Sequence, residues 1–155
     1  LPSTKFDVLK ELVTMYDEKQ FIVFTSSKQM AYLTTGELNR LGISTLALTG
    51  DTKADVRYNI ARDFKAKKYR VIVAVIDAAA EGLDELQDVC NVAVFLDRSW
   101  KTIKNKQAED RLHRGGQKNR VTIIDIKAEN TVDEKRQEVL EHKWRNIKQL
   151  LDIVR

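Results

Sequence analysis

Proline, cysteine and long apolar runs are nearly missing from this chain, and each scarcity removes a class of explanation. The one cysteine, Cys90, can form no internal disulfide. Beside Val89 and Val92 it reads as a buried structural thiol, which fits a reducing, intracellular setting, cytoplasmic or in the nucleoid or nucleus. The one proline is Pro2, and no repeat, low-complexity tract or linker divides the rest of the chain. The longest aliphatic run, Val71 to Ile76, is six residues, against the roughly 20 needed to cross a bilayer, so no membrane partner is expected. Of the six glycines, Gly36, Gly42, Gly50 and Gly82 are too scattered for a dinucleotide fingerprint. His113 and His142 with a lone cysteine make no metal cluster, and no Ser-His-Asp or Cys-His arrangement can be assembled. There is also no Gly-x-x-x-x-Gly-Lys-Ser/Thr loop and no acidic box after an apolar strand that would hold magnesium.

What is present is a regular alternation. Phe21 to Phe24, Ser44 to Leu48 and Val71 to Ile76 are short apolar runs, separated by the longer periodic segments Lys28 to Leu41 and Lys53 to Phe64. Strands alternating with helices at this spacing predict βαβ units around a mostly parallel sheet, an α/β fold. The runs lack polar alternation, as expected of strands covered on both faces. Further strands are expected at Val92 to Leu96 and Val121 to Ile126. An opening amphipathic helix, Thr4 to Asp17, would bury Phe6, Leu9, Leu12 and Val13. A long closing helix, Thr131 to Ile153, would pack Val132, Val139, Trp144, Ile147, Leu150 and Leu151. Ser27 is positioned as a helix cap, and Thr52 with Asp55 resembles a capping box. At 155 residues the chain suits one domain spanning 1–155. Its start at Leu1 suggests a piece of a longer polypeptide.

Charge is uneven. From Arg98 to Arg120 eight basic residues face two acidic ones, a local +6 within a total of +4, which leaves the remainder at −2. Such a stretch points to phosphate, of a nucleotide or of nucleic acid. Inside it runs Gln107-Ala108-Glu109-Asp110-Arg111-Leu112-His113-Arg114-Gly115-Gly116-Gln117, expected as a helix that begins near Lys104 and stops at the two glycines. Arg111 and Arg114, three apart, share a helix face and can reach one phosphate together.

This string resembles the Gln-x-x-Asp-Arg-x-His-Arg-x-Gly-Gln signature of the Swi/Snf-type ATPases, a branch of the superfamily-two helicases and translocases. Gly115 departs from it, where the family carries an aliphatic residue. The resemblance extends to Thr25-Ser26-Ser27, to Thr49-Gly50-Asp51-Thr52 with Arg57 and Phe64, and to Thr131-Val132-Asp133-Glu134-Lys135. Asp77-Ala78-Ala79-Ala80-Glu81-Gly82-Leu83-Asp84 is similar to the Asp-x-Ala-Ala-Arg-Gly-x-Asp stretch of DEAD-box relatives. Ile76 replaces a threonine that contacts nucleic acid in relatives, and Ala79 and Ala80 replace paired glycines. That loop therefore carries the nucleotide role further than the nucleic-acid one.

The resemblance implies a RecA-like three-layer lobe, the second of two in a DNA-dependent ATPase, with a long C-terminal helix. Arg111 and Arg114 would be arginine fingers, with Gln107 helping to position the nucleotide or its attacking water. Gly82 and Asp84 would face ATP. Thr25, Ser26, Gly50 and Lys53 would meet nucleic acid, double-stranded DNA being the expected form. ATP and Mg would be held mainly by an N-terminal RecA-like lobe, the expected partner, so the isolated chain would be inactive. Two alternatives stay open: a strand-separating lobe of DEAD-box-like or branch-migrating kind, and a non-catalytic nucleic-acid or protein-binding module.

Overall fold

The computed structural model describes residues 4–16, 19–81, 92–98, 102–110 and 122–126. The expected sites Gly82, Asp84, Arg111 and Arg114, together with Cys90, the Gly115-Gly116 stop and the closing helix, lie outside the described residues.

Five strands form one parallel sheet: β1 (Phe21–Thr25), β2 (Thr45–Leu48), β3 (Val71–Val75), β4 (Val92–Phe95) and β5 (Thr122–Asp125), in the order β2-β3-β1-β4-β5. The apolar runs become strands because β-branched and aromatic side chains suit a pleated surface, and alternate side chains separate into two cores. Ile22, Phe24, Ile72, Ala74, Ala93 and Phe95 face one side; Phe21, Val23, Val71, Val73, Val92 and Val94 face the other. Helices α1 (Thr4–Met15) and α2 (Lys28–Arg40) cover the second side with Phe6, Leu9, Val13, Ala31 and Leu38. Helices α3 (Ala54–Lys65) and α4 (Thr102–Asp110) cover the first with Ile60, Phe64 and Ala108. The result is the expected α/β three-layer fold, with a 3-10 turn (Ile76–Glu81) following β3.

The fourth helix begins at Thr102, near the expected Lys104. One local expectation is corrected. Thr52 does not cap α3: Lys53 holds the cap position without a side-chain bond. The Thr52 hydroxyl instead accepts from the Thr49 amide at 2.9 Å and donates to the Ala47 carbonyl at 3.2 Å, closing the turn after β2. β5 ends the described sheet, with Ile123 packed against one core and Ile124 against the other while Thr122 and Asp125 are exposed. Ser27 caps α2 as expected, accepting from the Met30 amide at 3.2 Å.

Candidate functional site

In a doubly wound sheet the crevice lies outside the carboxyl ends of the strands, where successive connections change direction. Here the chain leaves β1 toward β2 and β3 on one side, then crosses to β4 and β5 on the other. The switch falls between β1 and β4. The residues ending those strands are Thr25, Ser26, Asp97 and Arg98.

Thr25 is fully buried, and its hydroxyl donates to Asp97 Oδ1 at 2.5 Å. The Ser26 amide donates to the same oxygen at 3.1 Å, and the Ser26 hydroxyl donates to Oδ2. One carboxylate thus gathers three donors of a loop expected to meet phosphate. Ser26 is exposed, so its side of the crevice opens to solvent. The sequence motifs pass over Asp97, although a polar residue at the carboxyl end of a central strand marks this crevice by topology alone.

The neighbouring residue turns inward. The Arg98 side chain is only 12% exposed, because three groups hold it. Its guanidinium lies 3.9 Å from the Phe95 ring centroid, and Phe95 stacks on Phe24 at 4.8 Å. Nε and Nη2 donate to Asp125 Oδ1 and Oδ2 at 2.7 and 3.0 Å, and Nη1 donates to Glu109 Oε1 at 2.6 Å. Burial works against the charge, but the bonds to Asp125 and then Glu109 outweigh it, so the pKa rises above the usual arginine value. Arg98 therefore leaves the cationic stretch as a phosphate candidate, since its charge is matched within the fold.

The loop after β2 is built mostly from its own hydrogen bonds. The buried Thr49 hydroxyl accepts from the Asp51 amide at 3.1 Å and meets the Tyr32 hydroxyl at 2.9 Å. Arg57 Nη2 donates to the Thr49 carbonyl at 2.5 Å. Across the rim, Lys28 Nζ reaches Asp51 Oδ2 at 2.8 Å and ties this loop to the start of α2. Gly50 is exposed, and a Cβ there would meet nothing within 4 Å. The fold itself does not demand glycine at that position. Lys53 is exposed at the start of α3.

Gln107 is exposed on α4, while Asn105 and Ala108 are buried beneath the helix. Ile76, placed where relatives carry threonine, is 3% exposed and belongs to the core. Thr25, Ser26, Gly50 and Lys53 thus share the carboxyl rim of the sheet, while Gln107 stands on α4, joined to that rim through Glu109, Arg98 and Asp97. Among the described residues, no group of three or more His, Cys, Asp or Glu could hold a metal ion, and no helix is long and apolar enough to cross a membrane.

Comparison with known proteins places this geometry. Residues 4–116 match the family model described as helicase conserved C-terminal domain. ATP-dependent helicase fft2 of Schizosaccharomyces pombe is 34% identical over 136 residues, which is 86% of this chain and 10% of that protein. Transcription regulatory protein SNF2 of Saccharomyces cerevisiae is 28% identical over 132 residues, 84% of this chain and 8% of that protein. The chain therefore spans a tenth or less of the length of these relatives. Among solved structures, the C-terminal part of the Fun30 ATPase domain superposes with a TM-score of 0.81 at 24% identity, covering 90% of this chain and 46% of that one. The helicase domain of Pyrococcus furiosus Hef gives 0.68 at 24% identity, over 88% and 28%.

Proposed function

Since the chain belongs to the helicase conserved C-terminal domain family, in its Swi/Snf-type branch, we propose that it is the second motor lobe of a DNA-dependent ATPase acting as a double-stranded DNA translocase or remodelling helicase. Its partner is an N-terminal RecA-like lobe of the same polypeptide, which holds most of the ATP and the Mg. In this reading Arg111 and Arg114 close onto the γ-phosphate, and their charge meets the charge that develops there during transfer. Gln107 positions the nucleotide or the attacking water. Gly82 and Asp84 line the ribose side. Thr25, Ser26, Gly50 and Lys53 line the path of the nucleic-acid backbone, and lobe closure couples hydrolysis to movement.

One observation carries the reading: the family match runs unbroken from α1 through Arg114, and α4 leads into that arginine pair with Gln107 turned outward. A module that only binds has no use for such an arrangement. Magnesium would supply charge neutralisation at the phosphates when bound. In this reading its ligands belong to the partner lobe, and the described residues hold no metal-binding group of their own.

The test is ATP hydrolysis by the polypeptide carrying both lobes, with and without duplex DNA. DNA-stimulated turnover should fall on the order of 10³-fold or more in Arg114→Ala and in Arg111→Ala, the scale of arginine fingers generally. Undiminished turnover in both variants would overturn the assignment. Strand displacement without movement along intact duplex would favour the strand-separating alternative.

A further inference from the structure

We infer that Arg98 is a positioning residue, which through Glu109 sets the orientation in which α4 presents Gln107. The inference rests on the reading of α4 as the nucleotide-facing helix.

Among the described side chains of α4, apolar burial is slight. Those buried are Ala108 and Asn105, one small and one polar. By contrast, α3 drives Ile60 and Phe64 into the same layer. Apolar area fixes a helix in proportion to what it buries, so α3 is seated by its core, while on α4 the described side chains bury less and a polar anchor counts for more. The Arg98 guanidinium supplies one. It is stacked on Phe95 of β4 and bonded through two nitrogens to Asp125 of β5, so it belongs to the rigid sheet. Its remaining arm reaches Glu109 of α4. Two residues along an α-helix is a rotation of about 200°, so Glu109 and Gln107 point to opposite sides. Holding the first inward holds the second outward.

The side chain must be arginine for a geometric reason. A planar fork can serve two carboxylates at once from one stacked position, whereas an ammonium acts as a point charge. On the other side of Arg98, Asp97 grips the Thr25-Ser26 loop. The adjacent pair Asp97-Arg98 therefore joins the loop assigned to nucleic acid with the helix assigned to ATP.

The test is made in the two-lobe polypeptide with Glu109→Ala, which removes the acceptor on α4 while leaving Arg98 with Asp125 and Phe95. DNA-stimulated kcat should fall at least tenfold, with KM for ATP within twofold of the wild type and little change in thermal midpoint. Arg98→Lys should behave alike despite keeping its charge, and the double variant should be no worse than the poorer single one. A purely structural role would lower the midpoint and leave kcat of the folded enzyme intact. That result, or losses that multiply in the double variant, would overturn the inference. Should Arg98→Lys fail to fold, Glu109→Ala decides alone. If Arg111→Ala and Arg114→Ala abolish turnover while Glu109→Ala does not lower it, only this inference falls. If the arginine variants are themselves active, the reading of the helix falls with it.

Discussion

Lys67 holds a backbone φ of 62°, the left-handed region that disfavours any side chain. It sits there because α3 ends in a Schellman turn, with Lys67 N–H donating to Phe64 O at 3.0 Å and Lys68 N–H to Asp63 O at 2.9 Å. Helix α2 ends identically, Gly42 donating to Asn39 O at 3.0 Å and Ile43 to Leu38 O at 2.9 Å, but with glycine in the left-handed place at φ 85°. Lys67→Gly should therefore stabilise the chain by about 0.5–1 kcal/mol, relieved strain exceeding the added freedom of the unfolded chain. Gly42→Ala should cost about 1 kcal/mol, all of it from the backbone, since a Cβ there would meet nothing within 4 Å. Urea unfolding of the two variants checks both signs. The Lys28 ammonium at the rim offers a different reading of charge. Its hydrogen bond and attraction to Asp51 raise its pKa. A raised folded pKa gives stability that is complete below the ordinary lysine value, near 10.4, and lost as pH rises through the folded one. Between pH 5 and 9 that contact should be indifferent to pH and sensitive to salt, which a salt titration of thermal midpoint in Lys28→Met against wild type would separate.

Among the elements, α1 depends on a side chain from elsewhere in the chain. Arg70, just before β3, donates to the Val13 and Tyr16 carbonyls at the end of that helix and to Lys19 O at 3.2 Å. Gln20 does the same for α3, donating to Phe64 O at 2.7 Å and Tyr69 O at 2.9 Å. Helix ends leave unmatched carbonyls, and a charged donor there serves several at once. Arg70→Ala should cost about 1–3 kcal/mol, with hydrogen exchange quickening first in α1. The strands and helices themselves are legible in the sequence because burial on both faces makes near-continuous apolar runs. Boundaries shift where one residue has competing partners. Thr52 has the composition of a cap, yet its hydroxyl is taken by Ala47 and Thr49 in the preceding turn. Arg98 resembles one of eight phosphate-seeking cations, and its true partner Asp125 lies 27 residues away. Local pattern reports local neighbours, and ion pairs across the sheet escape it. Asp97 escapes for the same reason: its three donors come from a loop 71 to 72 residues earlier.

For the molecule as a whole, the described rim of the sheet offers phosphate fewer uncommitted groups than its sequence suggests. Lys28 is matched by Asp51, and the Thr25 and Ser26 hydroxyls already donate to Asp97, with Lys53 exposed beside them. Binding of duplex DNA by this chain alone should consequently be weak, with a shallow salt dependence corresponding to about one to three phosphates. The two-lobe polypeptide should bind more tightly and show a steeper slope, which anisotropy across a salt series measures. The strand order also has a consequence for how the chain comes into being. Of the five described strands β1 is made first and ends up in the middle, with Phe21 pairing to Val71 on one edge and Ile22 to Ala93 on the other. During synthesis this apolar strand therefore waits, unpaired on both sides, until two much later strands have emerged. Chains caught in that interval carry an exposed, sticky ribbon. Productive folding should thus depend on ribosome pace and chaperone cover more than on final stability, because slow closure of distant pairs is where aggregation competes.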